Sequence, residues 1–388
     1  MASIHRTPLM VAACAGIFFF GIVLALLGTL FGLPGMRAKL GISMSEQGNL
    51  FMLLYFGVLV ATLAVGPTID RYGNKAVLTF SALAVGLALA GFAAANSFRF
   101  AAGCALLMGL GGGGLNTSTN VLVSDLYDQR RGAMLNILGI FFGFGALCMP
   151  FVAASLAQTF TVEQLLLTAA APAIGASVAF AALKFPAARE AHTFAFGDAL
   201  RSARHPGVLL MALLLLCASG NEASIGGWTS THLAQQGAST QTATFVLASF
   251  WGSLMAGRLL ASRILQYISK ERLVLLSGAG SIVSCAMVAW GPTVVVQTIG
   301  VILTGMTFAP VFPTTLAIAG DRYARFSGSV FSVLFAVALV GGMTFPWAIG
   351  QLAERSAVRV GLTLPIVGAM ALTALAWMVG REKAGSRE

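Results

Sequence analysis

The chain has 388 residues, of which 57% are hydrophobic and only 9% are charged. Soluble proteins carry roughly 25% charged residues, so this chain has too few polar side chains to cover a water-facing surface. With a mean hydropathy of +0.87, the composition excludes collagen-like, disordered, disulfide-stabilised and nucleic-acid-binding proteins. It indicates an all-α membrane protein that crosses the bilayer many times.

Apolar windows long enough to cross a bilayer, about 20 residues each, recur between turn and charge signals. Inside a bilayer the backbone must satisfy its own hydrogen bonds, so these windows predict helices. The first is too long for a signal peptide and lacks a small-residue cleavage site, so it is predicted to remain in the mature protein. The twelve predicted spans are 8–33, 46–66, 76–95, 98–124, 132–158, 163–184, 207–233, 241–265, 273–291, 294–319, 327–353 and 360–380.

The placement of the basic residues predicts the topology. An even number of spans puts both termini on one side, and 17 of the 23 Lys and Arg residues lie on that side. Five lie in the opposite links, and Arg258 lies inside the eighth span. The positive-inside rule therefore predicts that both termini are cytoplasmic in a bacterial inner membrane. Topology explains the net charge of +10, so we predict no nucleic-acid partner. The protein is predicted to be a monomer in the lipid bilayer.

No residue pattern predicts an enzyme, a cofactor or a metal site. The chain has no phosphate-binding glycine–lysine loop and no nucleophile paired with a base, so ATP-driven transport by this chain alone is excluded. The cysteines lie scattered in apolar spans and the four histidines are dispersed near span ends, without ligand spacing. The cysteines are Cys14, Cys104, Cys148, Cys217 and Cys285.

The chain contains an internal duplication. Residues of the first half recur at a shift of 196, close to half the chain length, so each copy carries six spans. We predict a six-helix bundle at 1–184, a cytoplasmic linker at 185–206 with an amphipathic stretch at 194–203, and a second bundle at 207–388. The repeated pairs are Asp125 and Asp321, Tyr127 and Tyr323, Gly132 and Gly328, Gly145 and Gly341, and Pro150 and Pro346.

The link between the second and third spans reads GPTIDRYGNK, from Gly66 to Lys75. Gly66 is predicted to allow close helix approach, Asp70 to accept from a helix N-terminus, and Gly73 to turn the chain, while Arg71 and Lys75 stay in the cytoplasm. We interpret this link as a conformational contact between the halves and not as a binding site. It resembles the loop signature of the major facilitator superfamily, glycine–x–x–x–Asp–Arg–x–Gly–x–Lys.

This resemblance covers essentially the whole chain and implies two six-helix bundles with pseudo-twofold symmetry and a solute site between them. A narrower resemblance, to the fucose–glucose–galactose sugar:proton symporter branch and its relatives, is carried by four stretches. In that branch, acids in the first and fourth spans bind proton and sugar. Here the first span has no acid and the fourth-span position is Asn116, so those roles do not transfer. The four stretches are 116–125, 220–231, 250–260 and 309–314.

Drug:proton antiporters are also similar in part. Their fourth-span signature requires an arginine four residues before a glycine, where this chain has Ala105 before Gly109. Their fifth-span signature is partly present at 145–150, but its Gly and Pro recur in the second half, which favours helix packing and bending. The first hypothesis is thus uptake of a small polar solute, such as a sugar, with protons. Export of amphipathic compounds and a non-transporting receptor remain as alternatives.

Glu222 is the one acid of thirteen that lies well inside a predicted span. It is predicted to lie about 22 Å from the cytoplasmic start of the seventh span. An ionisable group at this depth in the membrane indicates proton or solute binding, or else a structural hydrogen bond. Ser219, Gly226 and Thr229 share its helical face. The glycine pair at 226–227 is expected to let the helix loosen before Trp228, which stacks on a solute or anchors the span at the interface.

Other polar residues inside spans are predicted to line the cavity or to form interhelical hydrogen bonds. Arg258 is placed near the cytoplasmic face, far in depth from Glu222, as a snorkelling or gate residue. The remaining polar candidates are Asn116, Asn120, Asn136, Gln297, Thr304 and Thr307.

Overall fold

The computed structural model describes residues 6–33, 35–127, 130–186, 205–323 and 327–385, and every regular element in these ranges is an α-helix. The predicted amphipathic stretch at 194–203 lies outside them. The helices are α1 (Arg6–Leu30), α2 (Met36–Leu40), α3 (Met44–Ala94), α4 (Phe98–Leu126), α5 (Arg131–Leu156), α6 (Val162–Ala182), α7 (Pro206–Gln235), α8 (Thr240–Ile264), α9 (Lys270–Trp290), α10 (Val294–Phe308), α11 (Val311–Arg322), α12 (Ser327–Arg355), α13 (Val358–Gly361) and α14 (Thr363–Gly385).

The all-α prediction with twelve spans is confirmed. Eleven helical segments are long and apolar enough to cross a membrane, and one of them, α3, has 51 residues and holds the second and third spans end to end. The tenth span consists of α10 and α11, which meet at Ala309 and Pro310. The short helices α2 and α13 lie in links between spans.

Gly73 turns the chain between the two spans of α3, as predicted. Its φ of 79° and ψ of 162° are non-helical, and L side chains rarely adopt this backbone conformation. The prediction for Gly66 is wrong, because no atom of the described residues lies within 4 Å of the position that a Cβ would take there. Within the described part of the chain Gly66 has no close neighbour, and helices approach closely at other glycines of the same bundle.

Gly73→Ala is expected to destabilise the protein by about 1–3 kcal/mol, because alanine strains this backbone conformation. Gly66→Ala is the matched control, since it adds a methyl group in open space within a helix and should stabilise by about 0.5–1 kcal/mol. Thermal unfolding of the detergent-purified variants measures both effects. Equal unfolding midpoints for the two variants would contradict the assignment.

Helix contacts divide the chain into two compact units. Unit 1 comprises 1–194 with 240–248, and unit 2 comprises 195–239 with 249–388. The first residues of α8 thus group with unit 1, although most of the eighth span belongs to unit 2. The domain boundaries at 184 and 207 stay a prediction.

In unit 1, backbone meets backbone where helices cross at glycines. A Cβ on Gly57 of α3 would lie 2.6 Å from the Leu106 carbonyl oxygen of α4, and one on Gly109 would meet the Leu54 carbonyl. A Cβ on Gly145 of α5 would likewise meet the Phe18 carbonyl of α1. These contacts pair α3 with α4 and α1 with α5.

Unit 2 repeats the same contacts. Gly305 of α10 faces Phe250 of α8, whose carbonyl oxygen would lie 2.6 Å from an added Cβ, and both residues are shifted by 196 from Gly109 and Leu54. Gly341 of α12 faces the Leu216 carbonyl of α7, as Gly145 faces Phe18. The internal duplication is therefore visible in the packing, and it supports the interpretation of the Gly and Pro pattern as helix packing.

Candidate functional site

Glu222 lies in the middle of α7. It follows the first residue of that helix by sixteen positions, which places it about 24 Å along the axis, and its side chain is half-buried between buried neighbours. The helix runs unbroken from Pro206 to Gln235. The loosening expected at residues 226–227 is therefore not seen in this structure.

A contact between α7 and α8 lies close to Glu222. An added Cβ on Gly226 would lie 3.0 Å from Cζ2 of Trp251, so the Trp251 ring packs against α7 at Gly226. Glu222 is one turn from Gly226 on the same face of α7, and Arg258 is two turns from Trp251 on the same face of α8. Since consecutive spans run antiparallel, both charged residues lie on the same side of the contact.

This register places Glu222 and Arg258 close in depth. Glu222 lies about 6 Å along α7 from Gly226 and Arg258 about 10 Å along α8 from Trp251, in the same direction. The two side chains interact electrostatically, and Arg258 is half-buried like its partner. The prediction that Arg258 lies far from Glu222 is wrong, because the antiparallel packing of α7 and α8 brings the two side chains within electrostatic range.

Close packing fixes the position of Arg258. A Cβ on the preceding residue, Gly257, would lie 2.7 Å from the Ala309 Cβ and 3.0 Å from the Met306 carbonyl oxygen. Helix α8 thus lies directly against the junction of α10 and α11 at this level. The guanidinium group is carried on a backbone segment with little freedom to shift.

Trp228 is a packing residue in this structure. Its side chain is fully buried, and its indole Nε1 donates a hydrogen bond to the Pro346 carbonyl oxygen of α12 at 3.1 Å. The ring is therefore inaccessible to a solute in this conformation, and it is not an exposed interfacial anchor. Pro346, one of the residues that recur in both halves of the chain, thus provides the hydrogen-bond acceptor for Trp228.

The polar face predicted on α7 is only partly open. Ser219 is half-buried, as Glu222 is. Thr229 is fully buried, and its hydroxyl donates to the Ile225 carbonyl of its own helix at 2.7 Å. Ser219 and Glu222 are the two members of this face that keep some exposure.

Asn116 and Asn120 lie one turn apart on α4 and are both half-buried. The Asn120 amide donates to the Asn116 carbonyl oxygen at 2.8 Å and to its side-chain oxygen at 3.2 Å. Together they form one polar surface on unit 1. Asn136 of α5, which was expected to join them, is exposed near the start of its helix.

The polar residues predicted on the tenth span serve packing. Gln297 is 1% exposed, and its Nε2 donates to the Gly291 carbonyl at the end of α9. Thr304 is fully buried and donates to the Gly300 carbonyl. Thr307 is half-buried, donates to the Thr304 carbonyl and lies 3.5 Å from the Ser284 hydroxyl of α9. Thr307 is the candidate in this group that keeps some exposure.

The loop from Gly66 to Lys75 contains a residue, Asn74, that was not predicted to have a role. The Asn74 side-chain oxygen accepts a hydrogen bond from the buried Ser118 hydroxyl of α4 at 2.9 Å, which ties the loop to the helix that carries Asn116 and Asn120. Asp70 is half-buried, while Arg71 and Lys75 are exposed. The Arg71 guanidinium lies over the ring of Tyr72.

Asn221 is a second missed residue. It is fully buried beside Glu222 and faces Gly368 of α14, and among the described residues neither its side-chain nitrogen nor its oxygen has a hydrogen-bond partner. An unpaired amide away from water costs a few kcal/mol. Its position as an asparagine in the centre of an apolar span is the sequence signal that could have identified it.

Comparisons with known proteins agree with the fold. Protein TsgA of Salmonella arizonae is 24% identical over 242 residues, which cover 61% of each chain. Human synaptic vesicle glycoprotein 2B is 35% identical over 122 residues, 30% of this chain and 17% of that protein. The chain thus spans less than two thirds of the length of these curated relatives.

Solved structures match over nearly the full length. The nucleoside transporter NupG superposes with a TM-score of 0.79 at 14% identity, covering 96% of this chain and 99% of that one. A D-xylose-proton symporter gives 0.77 at 14% identity, covering 96% and 97%. The Escherichia coli fucose:proton symporter FucP gives 0.66 at 16% identity, covering 95% and 98%. At these identities the match concerns the fold.

A family model decides the assignment. The model of the Major Facilitator Superfamily matches residues 13–346, which include the loop motif, Glu222 and Arg258. The family and the matched structures are transporters and not enzymes. This multi-pass membrane protein belongs to the Major Facilitator Superfamily.

Proposed function

We propose that this protein is a proton-coupled secondary transporter that moves a small polar solute across a bacterial inner membrane by alternating access. The observation that carries the proposal is Glu222, a half-buried carboxyl group in the middle of a membrane span with a guanidinium partner at a similar depth. Two matched structures are described as proton symporters, for D-xylose and for fucose. Both facts favour symport over the other transport modes.

In the proposed cycle, Glu222 exchanges a proton with water on one side of the membrane and then on the other. A carboxylate in a low-dielectric setting is costly unless it is paired or protonated, so its proton occupancy is linked to what occupies the cavity. Ser219 provides a hydroxyl on the same face. Asn116 and Asn120 provide amide groups on unit 1 for a polar solute.

The proposal also includes the membrane topology, the oligomeric state and the role of the loop between the second and third spans. Both termini are cytoplasmic, which follows from the distribution of basic residues. The protein acts as a monomer in the bilayer. The loop from Gly66 to Lys75 takes part in the conformational change, and its hydrogen bond between Asn74 and Ser118 ties that change to α4.

Uptake into proteoliposomes tests this function. Solutes that raise the unfolding midpoint of the purified protein across a pH series are selected first, since ligands stabilise the state that they bind. We expect the selected solute to accumulate inside vesicles under an imposed pH gradient and to leak out when a protonophore is added. Equilibration without accumulation, or accumulation that survives the protonophore, would overturn the proton-coupled mechanism.

A further inference from the structure

Each described acidic side chain at the end of unit 2 where α9 begins and α14 ends already has a basic partner. Arg322 lies 3.4 Å from Glu271 and 3.5 Å from Glu382, and these three side chains are only 14–35% exposed. The Lys270 Nζ atom lies 2.6 Å from the Asp321 Oδ2 atom. The described acids of this end are therefore matched within the protein.

Two arginines at the same end are exposed, Arg272 in the first turn of α9 and Arg381 in the last turns of α14. Within the described ranges of the chain, neither has an acidic partner. The Arg381 guanidinium carbon lies 3.9 Å from the centroid of the Trp377 ring, and Trp377 is 48% exposed. Tryptophans near the ends of membrane spans lie at the boundary between lipid and water, so Arg381 lies at the level of the lipid headgroups.

Both arginines end a helix face that is otherwise exposed and apolar. The residues that share these faces by helical spacing are Leu276 and Val283 on α9, and Val367, Met370 and Trp377 on α14. Exposed apolar faces of this kind on a membrane span indicate contact with lipid. The acyl chains of a lipid on these faces would thus place its headgroup beside Arg272 and Arg381.

The two faces turn to the same side of the helix pair. The contacts between α9 and α14 run in opposite sequence order, Gly278 with Thr373 and Glu271 with Gly380. Arg272 and Arg381 each follow a contact residue by one position, so each lies about 100° around its helix from the contact. Because the helices are antiparallel, these two rotations lead to the same side. Packed helices are separated by about 8–10 Å, so both long side chains can reach one ligand.

We propose that Arg272 and Arg381 bind the phosphate group of an anionic phospholipid, whose acyl chains lie along the exposed faces of α9 and α14. A planar guanidinium group can donate two parallel hydrogen bonds to phosphate oxygens. An anionic lipid supplies net negative charge to two unmatched arginines, whereas a zwitterionic lipid brings its own cation. The apolar faces favour a lipid over a soluble phosphate. This site concerns the surrounding lipid and does not depend on the transported solute.

Native mass spectrometry of the detergent-purified protein tests this site by measuring the affinities for phosphatidylglycerol and for phosphatidylcholine with the same acyl chains. One basic residue near an anionic lipid surface contributes about fivefold in affinity. The wild type is therefore expected to bind phosphatidylglycerol about thirtyfold more tightly than phosphatidylcholine. Each single variant, Arg272→Gln or Arg381→Gln, should lower this preference about fivefold, and the double variant should bind the two lipids almost equally.

Arg263→Gln is the matched control, because it removes an exposed arginine in the last turn of α8, which is neither helix of the site. It should keep the lipid preference. A preference that the double variant retains, or that Arg263→Gln loses to the same extent, would overturn the inference. Glycerol 3-phosphate, which has the phosphate group without acyl chains, should not displace phosphatidylglycerol at equal concentration. Displacement would assign the two arginines to a soluble phosphate and would equally overturn the lipid site.

Discussion

Glu222→Gln is expected to abolish solute accumulation in proteoliposomes while the protein still folds. Glutamine keeps the size of the side chain in its half-buried position on α7, but it cannot exchange a proton. Solute movement down its own gradient can persist, but the imposed pH gradient no longer drives accumulation. Uptake of the selected solute, with and without the gradient, measures the loss.

The control for this variant is Glu163→Gln in the first turn of α6. The Glu163 Oε1 atom lies 2.8 Å from the Lys39 Nζ atom at one end of the spans of unit 1. Glu163→Gln therefore removes a carboxylate, as Glu222→Gln does, but away from the candidate site. We expect Glu163→Gln to keep pH-driven accumulation. Wild-type accumulation by Glu222→Gln, with its usual pH dependence, would show that the carboxyl group is a structural anchor.

Gly109→Ala is expected to lower the free energy of unfolding by about 1–3 kcal/mol, which is the typical range for overpacking a core. The new methyl would meet the backbone of Leu54 and come within 3.1 Å of the Gly57 Cα. Backbone atoms cannot move aside as a flexible side chain can, so α3 and α4 would have to separate. Thermal or denaturant unfolding in detergent measures the loss.

Two further variants make this test specific. Gly103→Ala adds a methyl on the same helix at a point where none of the described residues has an atom within 4 Å, so it should be neutral or slightly stabilising. Gly305→Ala changes the repeat-related position, where the Phe250 carbonyl oxygen would lie 2.6 Å from the new Cβ, and it should lower stability like Gly109→Ala. Equal stability of the Gly103 and Gly109 variants would disprove the packing argument.

The fold was predictable because its signals are local and repeated. Twelve apolar windows predict the spans, and a period of about half the chain predicts two copies. Gly73 could be recognised as a turn because its loop needs a residue that tolerates positive φ. The close approach assigned to Gly66 was not predictable, because the face that a helical glycine presents depends on packing between helices.

The candidate site was predictable only in part. Glu222 could be identified because an acid is conspicuous in an apolar span. The depth of Arg258 relative to Glu222 could not, because residue positions along single helices do not show how α7 and α8 are aligned in the fold. Trp228 and Gln297 proved to be buried and bonded to backbone carbonyls, since polar side chains in membrane spans often satisfy neighbouring helices.

The glycine crossings have a consequence for motion within each unit. Where a carbonyl of one helix touches the glycine of another, as at Gly145 with Phe18 and at Gly341 with Leu216, no side chain stands between the two backbones. Rotamer changes, which are the usual means by which helices slide past each other, are not available at such a crossing. The two members of each pair must therefore travel together, and elasticity in the molecule has to come from positions where larger side chains separate the helices.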